Sequence, residues 1–189
     1  MKGFAVSALM KQGIDAPVLS LILPLALLCL SGNGIAQERQ KTSWNVPEAN
    51  AEYTQRLNVE VGDVPGHVVR IYEIHRRFAD PPPVFAGTRA VEAWDRGQAE
   101  YVGLNGPSWG YTIFHLANGE KVFARFNGAV RTTVGSDGKK QTIYSGTTVL
   151  TGGTGKFKGI RGLFHETDTV DIAAGISHTT GTGEYWFEQ

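Results

Sequence analysis

The sequence predicts an all-β chain folded as a single antiparallel sandwich or barrel domain. Three observations point there. After residue 54, short runs rich in Val, Ile, Thr, Phe and Tyr recur along the whole chain. They are separated by groups that form tight turns. No stretch beyond residue 54 keeps the 3.6-residue apolar period of an amphipathic helix. Glycine supplies much of the turn chemistry: 24 of 189 residues, against a usual share of about 7%.

The expected strands are 55–61, 67–78, 88–96, 98–104, 109–117, 121–133, 142–151, 162–173 and 179–187. Between them lie GDVPGH (62–67), NGP (105–107), ANGE (117–120) and GSDGKK (135–140). Asn-Gly and Asp-Gly pairs give the positive φ angles of hairpin turns. ADPPPVFAG (79–87) holds three consecutive prolines without amide donors and is expected to be an exposed, extended loop. No internal repeat or linker divides the domain.

The chain opens differently. Lys2 and Lys11 precede an uncharged apolar run at 16–30, and small residues follow up to Ala36. This pattern is expected of a secretory signal peptide, residues 1–36, cut after Ala36. The run would span ~22 Å as a helix, short of the ~30 Å hydrocarbon core. An uncleaved anchor is the rival reading. Residues 37–54 are polar and aperiodic, and are expected to form a flexible arm leading to a barrel domain at 55–189. The expected location is therefore secreted or periplasmic, with no membrane attachment after cleavage.

Cys29 is the only cysteine and would leave with the signal. The mature chain then lacks disulfides, a thiolate nucleophile and Cys-based metal sites. Removing Lys2, Lys11 and Asp15 leaves 16 basic and 17 acidic residues. That near-neutral balance argues against nucleic acid as a partner. The five histidines (67, 75, 115, 165 and 178) show no i, i+2 or i, i+4 pair, so no metal is expected.

TGGTGKFKGIRG (151–162) looks at first like a phosphate cradle. A P-loop needs Gly where Leu150 stands and Ser or Thr where Phe157 stands. The dinucleotide fingerprint fails at Lys158, and no βαβ pattern surrounds it. The spacing instead suits a corner. One tight helical turn would bury Phe157 and Ile160 together and leave Lys156, Lys158 and Arg161 in water. The flanking glycines would let the backbone bend sharply.

LTGGTGKFKGIRG resembles the G-G-x-G-x-F-x-x-A/G-x-G signature of the allene oxide cyclase and dirigent barrel families. YEIHRRFADPPP (72–83) is similar to a Y-E-I-N-x-x-D-R-x-S-P stretch of plant allene oxide cyclases. The resemblance implies a single eight-stranded antiparallel β-barrel, an apolar lumen, no cofactor and a homo-oligomer, commonly a trimer. Dirigent proteins steer phenoxy-radical coupling; the cyclases fold a reactive epoxide into a cyclopentenone. By this likeness Glu73 matches a functional Glu and Pro82 a binding-loop Pro. His75, Pro81 and Thr112 stand where the cyclases have Asn, Ser and Cys.

In HVVRIYEIH (67–75), Val69, Ile71, Glu73 and His75 share one face of a strand, and Arg70, Tyr72, Ile74 and Arg76 the other. With the first face inward, Glu73 and His75 would form an acid–base pair over an apolar floor; the resemblance adds Thr112 and Pro82 as ligand contacts. The alternative is a rim pair or a structural bond to Arg76 or Arg77. SWGYTIFHL (108–116) is apolar on both faces, so its outer face must meet either loops or another subunit. Two functions remain open: a lumen that binds a small apolar, phenolic or fatty-acid-derived ligand, with cyclase or isomerase activity, or a structural barrel filled by its own side chains.

Overall fold

The computed structural model describes residues 38–171 and 176–188. The expected signal segment 1–36 lies outside them. The described chain is one antiparallel sheet of ten strands: β1 (Gln40–Val46), β2 (Ala51–Glu60), β3 (His67–Arg77), β4 (Val84–Phe85), β5 (Thr88–Val102), β6 (Gly106–Leu116), β7 (Lys121–Val134), β8 (Lys140–Gly153), β9 (Ile160–Asp171) and β10 (Ile176–Phe187). Pairing runs β1-β10-β9-β8-β7-β6-β5-β3-β2, with β4 attached to β5. The strand count is ten rather than eight, and pairing between the end strands does not close the sheet into a barrel. Among the described residues no helix is long and apolar enough to cross a membrane.

Most strands fall where the residue pattern put them. The expected strands 88–96 and 98–104 are one strand, β5, running through Gly97. The expected arm also differs: residues 40–46 pair along β10, with Trp44 opposite Gly181. Trp44 is buried against Phe114 and Phe164, at ring-centroid distances of 5.6 and 4.9 Å. The indole lies where a side chain on Gly181 would stand, so a glycine in β10 makes β1 part of the sheet.

The sheet curls, because residues from distant strands meet on one face. Arg76 of β3 reaches Asp168 of β9 and Thr179 of β10. Two apolar clusters fill this inner face. One holds Trp44, Phe85, Phe114, Leu150, Phe157, Ile160 and Phe164; the other holds Tyr72, Ile74, Tyr101, Phe126 and Tyr144. The glycine corner serves the first cluster. Gly155–Phe157 form one 3₁₀ turn, Phe157 and Ile160 are fully buried, and Lys156 and Lys158 are exposed.

The proline segment is packed, contrary to the expectation of an exposed loop. Phe85 is fully buried, in edge contact with Phe114 and Tyr185 at 5.5 Å each. Pro83 is buried, and its carbonyl accepts from the Ala90 amide at 2.9 Å. One aromatic anchor turns the segment inward despite its missing amides.

Candidate functional site

The strand β3 faces the opposite way from the arrangement expected for an inward acid–base pair. Arg70, Tyr72, Ile74 and Arg76 point inward and are buried, while Ile71 is 57% exposed. Glu73 and His75 therefore stand on the outer face. A cross-strand row fixes their neighbours: Gln55, Glu73, Arg96, Tyr111 and Arg125 lie side by side on β2, β3, β5, β6 and β7. Glu73 pairs with Arg96 Nε at 2.7 Å and accepts from Thr54 Oγ1 at 2.7 Å. His75 stacks on Trp94, centroids 4.2 Å apart, and bonds Glu92 through Nε2 at 2.7 Å. Burial raises the Glu92 carboxyl, but the bonds from His75 and Trp94 outweigh it and hold the group below its usual value. Glu73 and His75 thus belong to two separate polar pairings, and neither is the other's partner.

The next row, Leu57, Ile71, Gln98 and Trp109, is apolar at three of four places. Apart from Arg125, the two rows line an open groove of about 840 Å³ between Leu57 and Ile71 on one side and Trp109 and Tyr111 on the other. Gly97 and Gly110 stand paired at its floor. A Cβ at Gly110 would come within 2.3 Å of the Arg96 carbonyl and 2.7 Å of the Phe126 ring. The two glycines let the Tyr72 and Phe126 rings fill the inside, so β6 turns Trp109 and Tyr111 outward. Loops do not cover this face among the described residues: Tyr111 is 57% exposed.

Between the two apolar clusters lies a polar layer. Arg76 Nε donates to Asp95 Oδ2 at 2.5 Å, and its Nη2 to Asp168 Oδ2 at 2.9 Å. Thr112 donates to Asp95 Oδ1 at 2.6 Å, and Thr148 to Glu166 Oε2 at 2.7 Å. Burial is the main cause that pushes the Glu166 carboxyl up to about 8, assisted by the Asp168 and Asp95 charges. Burial raises Asp168 too, against the pull of Arg76. The Tyr144 hydroxyl and Asp168 Oδ1 are buried and find no partner among the described residues. They line a cavity of about 40 Å³. A water needs at least ~10–15 Å³ of such space, so about three waters would fill it.

Of the four expected site residues, the outer face holds Glu73 and His75, while Thr112 is buried inside and bonded to Asp95. Pro82 is half-buried in the segment before β4. The structure does not gather them into one pocket. The residues missed by sequence reasoning are Asp95, Glu166 and Asp168. A signal existed: Phe164, Glu166, Asp168 and Val170 alternate in phase, so an apolar face continues into two carboxylates. Among the described residues no group of three or more His, Cys, Asp or Glu is arranged to hold a metal. The fold and site define an all-β protein with a curled antiparallel sheet and a groove on its outer face. Comparison with protein-family models and with curated proteins found no match to this chain.

Proposed function

We propose that this chain is a secreted or periplasmic binding protein for a small apolar ligand, phenolic or fatty-acid-derived, held in the outer groove. The relative size of the two spaces carries this reading. Ligand pockets usually measure about 300–1,000 Å³; the groove has about 840 Å³ and the inner cavity about 40 Å³. Trp109 and Tyr111 offer aromatic walls, and the Arg96–Glu73 pair a polar end. A cyclase or isomerase step is not part of the proposal, because Glu73 and His75 are each engaged elsewhere.

The same reading takes the sheet as an eight-stave barrel. β1 and β2 are consecutive, β1 pairs with β10, and β2 pairs with β3. Counted as one interrupted stave, they link both margins, and with β3 and β5–β10 the staves number eight. The signal-like start at 1–36 supports export.

A second reading is an interaction barrel with a filled lumen, its groove face covered by another copy of the chain. Val59 and Val69, 55% and 36% exposed, extend the apolar surface beyond the groove and favour it. The test is native mass spectrometry of the mature protein with a phenol and fatty-acid panel, read beside tryptophan fluorescence. The ligand reading expects a bound compound that Trp109→Ala releases. A bare oligomer that Trp109→Ala splits, with no compound bound, supports the second reading. A bare monomer with no binding overturns both.

A further inference from the structure

The polar layer holds an unequal number of charges. Among the described residues, three carboxyls point into it, and Arg76 is bonded to two of them, Asp95 and Asp168. Arg70 also lines the cavity, but its Nε is bound to Asn58 at 2.8 Å and its guanidinium lies over Tyr101. Glu166 receives a hydroxyl bond, from Thr148. Glu166 is half-buried, and a third negative charge in this layer beside one shared arginine is costly, so a proton belongs on Glu166. The groups around it come from every neighbouring strand: Asp168 on β9, Arg76 and Tyr72 on β3, Asp95 on β5, Tyr144 and Thr148 on β8, Thr179 on β10 and Tyr53 on β2.

Beside Glu166 the sheet carries no side chains of its own at the paired positions on the next two strands. The cross-strand partner of Glu166 is Gly146, whose own partner on β7 is Gly128. The Tyr144 ring lies over this glycine pair; a Cβ on Gly146 would come within 2.1 Å of the tyrosine oxygen. That hydroxyl has no partner among the described residues, so moving the ring sacrifices no hydrogen bond within them.

We propose that Glu166 is a proton switch for the inner cavity: protonated, it keeps the Tyr144 ring packed over Gly146, and ionised, it opens that wall to water. The driving force is repulsion of the new charge by Asp168 and Asp95. Solvating that charge needs water beyond the small cavity, and the glycine wall is where it can enter. The switch is independent of what fills the outer groove.

The test is amide hydrogen exchange at about pH 6 and about pH 10, corrected for intrinsic chemistry, on the mature protein and on Glu166→Gln. Wild type is expected to lose protection about tenfold at residues 144–148 and 164–168 at the higher pH, and Glu166→Gln to lose none. Equal behaviour of the two proteins, or constant protection in wild type, overturns the switch. Should Glu166→Gln not fold, the carboxyl carbon of wild type decides: a midpoint near 8 is required, and one in the usual carboxylate range refutes it.

Discussion

Glu73 and Arg76 sit on one strand and face opposite ways, which sets the cost of losing each. Arg76→Met leaves Asp95 and Asp168 buried without their cation. A loss of about 3–5 kcal/mol is expected at neutral pH, measured by urea unfolding. The deficit should shrink in acid, as Asp168, whose carboxyl burial already pushes up, takes up a proton. Glu73→Gln removes a pair whose arginine is 52% exposed, so stability should change by less than about 1 kcal/mol. At this scale the residue pattern was ambiguous for a physical reason. Val69 and Ile71 on one face and Tyr72 and Ile74 on the other are about equally apolar. Local alternation gave two faces without saying which one lies inside.

The element β1 shows how far a short strand depends on one contact. Trp44→Ala would empty the space between Phe114, Phe164 and Gly181. The expected cost is about 3–5 kcal/mol, with lowered protection along β1 and β10 in hydrogen exchange. The polar composition of 37–54 hid this strand, since only Trp44 and Val46 of β1 are buried. The corner at 154–158 was legible, because a glycine spacing and two apolar residues three apart act locally. Gly155 has φ +52°, and a Cβ there would lie 1.6 Å from Glu120 Oε1, which accepts from the Lys156 amide at 3.0 Å. Gly155→Ala should therefore lower stability by about 1–2 kcal/mol, read as a fall in thermal midpoint.

The whole molecule should respond to pH through its buried layer. Glu166 is raised from 4.5 to about 8 on folding, so between those values the folded chain binds more protons than the unfolded one. The stabilisation is full below about 4.5, falls by roughly 1 kcal/mol per pH unit as pH rises, and is lost through about 8. Asp168 is shifted in the same direction and adds to the slope. Urea unfolding across this range should show the decline in wild type and a flatter curve in Glu166→Gln. The sequence by itself determined the all-β class, the turns and the glycine corner, because hydrophobic alternation and backbone freedom are properties of neighbouring residues. Tertiary structure decided that Glu73 and His75 face out, that β1 joins the sheet, and that Arg76, Asp95, Glu166 and Asp168 meet. Those outcomes depend on how the sheet curls, which brings together strands some 90 residues apart, as Arg76 and Asp168 are, and no local pattern encodes that meeting.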